Sequence, residues 1–325
     1  MKELYLGIDT SNYTTSVALT DSEGNILADE RTMLKVKDGE LGLRQSDALF
    51  QHWSNLPELL DAVLDGRDDL IEAVPEHSGL SEPTDRVGRI VAVCASSRPR
   101  PVEDSYMPVF TAGMNAARII ASATGAKLLF CSHQEGHLEA AARRTALERD
   151  KPFIFAHLSG GTLELLLVRG ELYEAIFATK DLSYGQLLDR FGLALGFAFP
   201  AGACVDELAL GYSPQGLKNP LCRVFMRDSG LNLSGLETQL KSAIKERPAE
   251  ELAFFLMERI SESFIEICEN AKKNSGAGQV LVSGGVARSE FLRKRCEHKG
   301  YIFGDKTLCN DNAVGVAIYG GRHWR

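Results

Sequence analysis

The sequence predicts an α/β protein made of two copies of one structural plan. Two observations carry that prediction. A strand–turn–strand–turn–strand block occurs twice, beginning at Leu4 and again at Pro152, about 148 positions later. Each block is followed by amphipathic helices and further short apolar strands, the alternation expected of a layered α/β lobe. The expected organisation is an N-terminal lobe over 1–150, completed by a C-terminal helix at about 312–325, and a C-terminal lobe over 151–311, with an interlobe cleft.

The first block opens with LYLGI (Leu4–Ile8), a buried strand, then the polar turn DTSNYTT and a second strand, SVALT (Ser16–Thr20). The turn DSEGN leads into a third strand, ILADERT. After an amphipathic SDALFQHWSNLPELLDAVL come the strand RIVAVCA (Arg89–Ala95), the helix FTAGMNAARIIASATG and the strand KLLFC (Lys127–Cys131). Between them, Asp68–Asp85 reads as an exposed excursion. The second block repeats the plan: PFIFAHL (Pro152–Leu158), an SGG turn, LELLLV (Leu163–Val168), RGE, then LYEAIFA (Leu172–Ala178). Helices YGQLLDRFGLALG and EELAFFLMERISESFIEICENAKK follow, the latter with Leu256, Ile260, Phe264, Ile267 and Ala271 on one stripe and Pro248 as the break before it. VLVSG (Val280–Gly284) is the next strand.

Three strands end in turns able to bring backbone close to a ligand: DTSNYTT, SGGTL (Ser159–Leu163) and SGGVARSEFLR (Ser283–Arg293). Glycines permit that approach, and successive N–H groups can cradle phosphate. The third turn is expected to run straight from a strand into a helix, presenting a helix N-terminus. A single Gly-Gly after a strand is usually only a turn. Two in corresponding places, opposite a polar turn, match the phosphate hairpins of the actin/hexokinase/Hsp70-like ATPase (ASKHA) fold.

CSHQEGHLEAA (Cys131–Ala141) carries a second signal. Residues i and i+4 share a helix face, so His133 and His137 can reach one metal ion. Glu135 is rotated by about 200° from His133 and points away. The order H-x-E-G-H therefore does not place a glutamate on metal-bound water as the zinc-protease motif does, and peptide hydrolysis is a poor reading. A third ligand has to come from elsewhere, and Asp311 in LCNDNAVGVAIYGG, expected at an N-terminal helix position, is the candidate. His133 and His137 as surface or capping residues is the alternative.

Composition limits the classes of function. The chain has 325 residues, 44% hydrophobic and 25% charged, enough for two medium lobes. Its formal net charge of −8 excludes general electrostatic binding of nucleic acid without a local basic patch or a partner protein. The 7 cysteines are scattered and form no CxxC pair, which argues for reduced thiols. MKELYLGIDTS has no signal-peptide character and no stretch is apolar enough for a membrane helix, so the cytoplasm is expected and a membrane is not.

Read together, the motifs resemble the TsaD (formerly Gcp, "glycoprotease") family of tRNA threonylcarbamoyladenosine transferases, in order and over nearly the whole chain. LGIDTSNYTTSVAL resembles the first family turn, HQEGH the metal pair and LSGGTLELLLV the second turn. YGQLLDRFGLALGFAFPAGACVDELA, LNLSGLETQL, VSGGVARSEFLR and CNDNAVGVA are similar to the later motifs. The resemblance implies one divalent metal ion, Fe or Zn, held by His133, His137 and Asp311. It implies that Leu158, Ser159, Gly160 and Gly161 approach a phosphate or carbamoyl group. Asp189, Gly202 and Asp206 would hold the nucleoside of an adenine nucleotide or acyl-adenylate, with Gly284 and Gly285 bordering the adenine and Ser289 also at the nucleotide site. The family reaction moves a threonylcarbamoyl group from an adenylate to N6 of an adenine in tRNA. tRNA engaged through partner proteins, and a homodimer or a heterodimer with a family paralogue, are the partners implied.

The chain departs from the family pattern at several places. An acidic pair in the first turn is replaced by Tyr13 and Thr14, with Asn12 in place of a cysteine. A Gly-Pro-Gly-Leu loop is replaced by SSRPRPVEDSYMPVF (Ser96–Phe110), with Arg98, Arg100, Glu103 and Asp104. Thr162 follows SGG, Ser289 stands for an asparagine and Glu237 for a lysine. These changes predict a divergent paralogue whose nucleotide and metal scaffold is kept and whose second substrate differs. Arg98 and Arg100 could bind a carboxylate or phosphate, or simply be solvated. A non-catalytic nucleotide-binding partner and an ATPase or kinase-like enzyme are the competing readings.

Overall fold

A computed structural model of the chain describes residues 2–11, 13–36, 43–64, 88–102, 105–179, 181–224, 226–227 and 230–325. Asn12, Glu103, Asp104 and the Asp68–Asp85 excursion lie outside the described residues. The chain divides into two compact units, Met1–Arg143 with Asp311–Arg325, and Arg144–Asn310.

The first unit is built on β1 (Lys2–Asp9), β2 (Thr14–Asp21), β3 (Ile26–Met33), β4 (Gly88–Arg98) and β5 (Lys127–Ser132), in sheet order β3-β2-β1-β4-β5. The hairpin strands pair antiparallel, and β4 and β5 add on parallel. Alternation sorts the two faces. Leu4, Leu6, Ile8, Val17 and Leu19 pack under Leu56, Leu59 and Val63 of α1 (Gln45–Leu64) and Ala112, Ala116 and Ala117 of α2 (Phe110–Thr124). The opposite face carries α3 (His133–Ala142) and α9 (Val314–His323), with Cys94 and Cys131 packed on Val316.

β4 runs three residues past the predicted RIVAVCA. Ser96 and Arg98 pair with Cys131 and Ser132, which removes them from the loop the sequence suggested. The reason is partner supply: β5 is there to satisfy their backbone groups. Asp311 precedes α9 by three residues and is not a helical residue. Ala313 is the N-cap, and the Oδ1 of Asn312 just before it accepts from Gly315 N at 3.2 Å.

The second unit repeats the topology. β6 (Phe153–Leu158), β7 (Leu163–Arg169), β8 (Leu172–Ala178), β11 (Gln279–Ser283) and β12 (Ile302–Phe303) form a sheet of order β12-β11-β6-β7-β8. Its core is dominated by α7 (Ala249–Ser275), whose Leu256, Ile260, Phe264 and Ile267 are all buried, with Ala271 partly so. Pro248 stands at the N-cap of α7, as predicted. The helices α4 (Tyr184–Ala194), α5 (Gly202–Gly211), α6 (Leu233–Ala243) and α8 (Glu290–Cys296) complete the unit, with a short antiparallel strand pair, β9 (Met226–Arg227) and β10 (Gly230–Leu231). The third glycine turn does not lead straight into a helix. A 3₁₀ turn, Gly285–Arg288, intervenes before α8 begins at Glu290.

The crossing of α3 and α9 fixes the geometry of the first unit. A Cβ on Gly315 would lie 1.8 Å from Gly136 O, so only glycine allows the two backbones to meet. A Cβ on Gly136 would meet one methyl group, the Val316 Cγ2, at 3.0 Å, a tight contact but with a side chain and not with backbone. The two substitutions should therefore differ sharply in urea or thermal unfolding. Gly315→Ala is expected to lose about 3 kcal/mol or more by overpacking. Gly136→Ala, which gains about 1 kcal/mol of helix propensity, is expected to stay within about 1 kcal/mol of the parent. Equal losses would contradict this account of the crossing.

Candidate metal centre

His133 is the first residue of α3 and His137 lies one turn on. Ser132 ends β5 and caps the helix, its hydroxyl accepting from Glu135 N at 3.2 Å. The Glu135 carboxylate accepts from Ser132 N at 2.6 Å, completing a capping box. Glu135 thus serves the helix end and turns away from the histidines, as helix geometry requires.

The α3–α9 crossing brings Asp311 to the two rings. His133 Nε2 and His137 Nε2 are 3.1 Å apart, and the Asp311 Oδ1 lies 3.3 Å from His137 Nε2 and 3.4 Å from His133 Nε2. A tetrahedral zinc site with bonds of about 2.0–2.2 Å has its donor atoms about 3.3–3.6 Å apart. The three atoms therefore stand close to the spacing that one small divalent cation demands. Nitrogen donors with one carboxylate suit Zn²⁺ or Fe²⁺. Among the described residues, this is the one cluster of three or more potential ligands that could share an ion.

Three residues that the sequence reading did not single out surround His133. Asp9, fully buried at the end of β1, places its Oδ2 3.1 Å from His133 Nδ1. The Ser11 Oγ lies 2.8 Å from the same nitrogen and donates to Asp9 Oδ2 at 2.7 Å. Ser96 donates a short hydrogen bond to Asp9 Oδ1. Between them, Thr10 anchors the turn to α2: its Oγ1 donates to Val109 O at 3.0 Å and accepts from Gly113 N at 3.1 Å. The only sequence signal for Asp9 is an acid immediately after an apolar strand. Ser96 has none, because its role follows from the β1–β4 register.

The electrostatics follow from this packing. Burial alone would push the His133 imidazole down, but the Asp9 and Asp311 carboxylates reverse that and push it up to about 10. His137 is lowered, first by burial and then by the neighbouring His133 charge. Burial works to raise Asp9 and Asp311, and the histidines outweigh it, holding both carboxyls below their usual range.

In the second unit, the SGG turn is closed by Ser159 N donating to Thr162 O at 2.9 Å and Thr162 N donating to Ser159 Oγ at 3.0 Å. Leu158 is buried beneath it, and a Cβ on either Gly160 or Gly161 would meet nothing within 4 Å, so this turn faces open space. Ser183, the cap of α4, donates to Gly160 O at 2.7 Å. Gly284 has φ +99°, and its missing Cβ would lie 2.3 Å from Leu158 O, so the ends of β6 and β11 touch there. Gly285 begins the 3₁₀ turn beside Asn310. Asp189 Oδ1 accepts from Ala201 N at 2.8 Å and from Gly202 N at 3.2 Å. Asp206 accepts from Ser289 Oγ at 2.5 Å, Glu290 N at 2.9 Å and Phe291 N at 3.3 Å, so both of its oxygens serve the start of α8. Glu237 pairs with Arg190 and Lys241.

Comparison with known proteins places this geometry in a lineage. The fold matches component A of (R)-2-hydroxyglutaryl-CoA dehydratase from Acidaminococcus fermentans, with TM-score 0.55 and 14% identity over 98% of each chain. It matches full-length HypF with TM-score 0.58 and 12% identity, covering 99% of this chain and 55% of that one. A ROK family glucokinase from Streptomyces griseus gives TM-score 0.51 at 13% identity, over 98% of this chain and 99% of that one. These likenesses establish the duplicated ASKHA-type α/β fold. In sequence, the chain is 26% identical over 323 residues to a tRNA N6-adenosine threonylcarbamoyltransferase of Thermofilum pendens, covering 97% of this chain and 87% of that protein. It is also 26% identical to the "Probable bifunctional tRNA threonylcarbamoyladenosine biosynthesis protein" of Thermoplasma volcanium, over 98% of this chain and 56% of that longer protein. The family model described as "TsaD: tRNA N6-adenosine threonylcarbamoyltransferase" matches residues 107–318, which include His133, His137 and Asp311. The chain therefore belongs to the TsaD family.

Proposed function

We propose that this chain is a metal-dependent, nucleotide-binding acyltransferase of the threonylcarbamoyltransferase type, with an acceptor that its altered loops set apart. The observation that carries the proposal is the donor triangle of His133, His137 and Asp311, with separations of 3.1–3.4 Å. These residues would hold a divalent Zn²⁺ or Fe²⁺ ion. When bound, the ion would neutralise phosphate charge and polarise the leaving group of an acyl-adenylate. The open Ser159-Gly160-Gly161 turn would direct backbone N–H groups at phosphate or carbamoyl oxygens. Asp189, whose Oδ2 remains beyond its two backbone bonds, and Gly202 would meet the nucleoside sugar, with Gly284 and Gly285 beside the base. Asp206 and Ser289 would act by setting the position of that last turn.

The altered first turn favours a second reading, a non-catalytic nucleotide-binding partner of a family paralogue. Tyr13 and Thr14 stand where an acidic pair would offer further metal or acid–base chemistry, and their backbones are used to seat the turn: Tyr13 O accepts from Leu34 N at 2.8 Å. The two readings separate on product. Incubated with threonylcarbamoyl-adenylate, tRNA and a family paralogue, the chain is expected to yield modified adenosine by nucleoside mass spectrometry. Asp311→Ala is expected to lower both metal affinity and yield by about a hundredfold or more, the loss of a ligand exceeding that of an outer partner. Nucleotide binding with no product, unchanged by Asp311→Ala, would establish the partner reading.

Metal uptake should also depend on pH with a defined sign. The His133 proton has to leave before its Nε2 can serve a metal, and that imidazole is pushed up to about 10 in the metal-free protein. Affinity is thus expected to rise about tenfold per pH unit from neutrality towards pH 10, one proton being released per ion. Titration of zinc against a chelating indicator at pH 7, 8 and 9 measures this, and a flat affinity over that range would contradict it.

A further inference from the structure

The hydrogen-bond order around His133 determines where that imidazole carries its proton. Ser11 has one hydroxyl hydrogen, and the 2.7 Å contact to the Asp9 carboxylate uses it, because a carboxylate only accepts. Towards His133 Nδ1, 2.8 Å away, Ser11 therefore offers a lone pair. The Asp9 Oδ2, 3.1 Å from the same nitrogen, also offers only lone pairs. Two acceptors facing one ring nitrogen require that nitrogen to be the donor. Nδ1 therefore carries a hydrogen, and Nε2 is the ring nitrogen that faces His137 Nε2 and Asp311 Oδ1. Ser96 fixes the other end of Asp9 by donating to Oδ1, so the carboxylate cannot rotate out of this arrangement.

We infer that Asp9, with Ser11 and Ser96, is a positioning residue that holds His133 in its Nδ1-protonated tautomer and thereby sets how tightly the centre takes its metal. The inference rests on the metal-centre reading above. Metal-bound histidines are generally oriented by a carboxylate or carbonyl on the second ring nitrogen, and loss of that partner weakens metal binding about tenfold to a hundredfold. Here the carboxylate comes from β1, a hydroxyl from the turn after it and a second hydroxyl from β4. Three segments distant in sequence thus converge on one ring. Asparagine cannot reproduce the arrangement. Asp9 accepts at both ends, and an amide accepts at one end and donates at the other. With its NH₂ towards the ring, Nδ1 would have to accept, and the hydrogen would move to the nitrogen that binds metal. With its NH₂ towards Ser96, that hydroxyl would have to turn, and the ring would lose its charged partner.

The test measures zinc affinity of the full chain against a chelating indicator, for the unsubstituted protein and for Asp9→Asn. The substituted protein is expected to bind zinc about tenfold to a hundredfold more weakly while its metal-free form keeps a cooperative thermal transition. An affinity within twofold of the parent in a folded Asp9→Asn protein would overturn the inference. Should Asp9→Asn fail to fold, ¹⁵N spectroscopy of the zinc-loaded unsubstituted protein reads the tautomer directly. Both site imidazoles are expected to carry hydrogen on Nδ1 and zinc on Nε2, and a zinc-bound Nδ1 on His133 would overturn it. An unsubstituted protein that takes up no zinc or iron at all would instead refute the metal centre itself, so the two failures are distinct.

Discussion

Everything chemical in the first unit depends on one steric constraint, the backbone contact between α3 and α9. Helices normally pack with axes 8–10 Å apart, separated by side chains. At this crossing Gly315 removes the side chain that would separate them, and Gly136 O fills the space where its Cβ would be. The segment just before α9 is thereby drawn against the first turn of α3. Asp311 enters from that segment and meets His133 and His137, which stand one helical turn apart. The donor triangle is thus a consequence of helix packing. Side chains on a flexible loop could reach the same positions but would lose conformational entropy in holding them.

The sheet contributes the second half of the arrangement. Because β4 lies between β1 and β5, the ends of all three strands come together at one edge of the sheet. Asp9 ends β1, Ser96 lies near the end of β4, and Ser132 ends β5 as the cap of the histidine helix. A buried carboxylate such as Asp9 is costly unless it is paired and hydrogen-bonded. Its three partners, Ser11, Ser96 and His133, supply that compensation. The same contacts that make the buried acid tolerable also orient the ring, so stability and site geometry have one cause here.

Much of this was legible in the sequence, and what was not has a common reason. The duplicated strand plan, the His133–His137 face and the partnership with Asp311 followed from periodicity, helix spacing and family resemblance, all properties of short segments or of their order. The turning away of Glu135 followed from helix geometry alone. The roles of Ser96 and Asp9 were invisible because they depend on register between strands about ninety residues apart, which no local pattern encodes. The same reason explains the extension of β4 through Arg98, since that segment looks like loop until β5 is beside it. The third turn differed for a different reason. Gly284 occupies a left-handed conformation against Leu158 O, and the chain makes a 3₁₀ turn before Ser289 can cap α8.

The charge balance of the centre bears on the loss of the acidic pair at Tyr13 and Thr14. Two carboxylates, Asp9 and Asp311, contact the histidines, and both are held ionised. Two negative charges match one divalent cation, so the four side chains and an ion would form a neutral group. A neutral group is what a largely buried site tolerates, because uncompensated charge in low dielectric is expensive. Two further acids at the neighbouring turn would make the loaded centre negative and set it against an anionic ligand such as a phosphate. In this chain Thr14 enters β2 and Tyr13 seats the turn through its carbonyl, leaving the balance at neutrality. The substitution of the acidic pair is therefore compatible with binding of metal and phosphate, and its consequences fall on steps that need an additional acid or base.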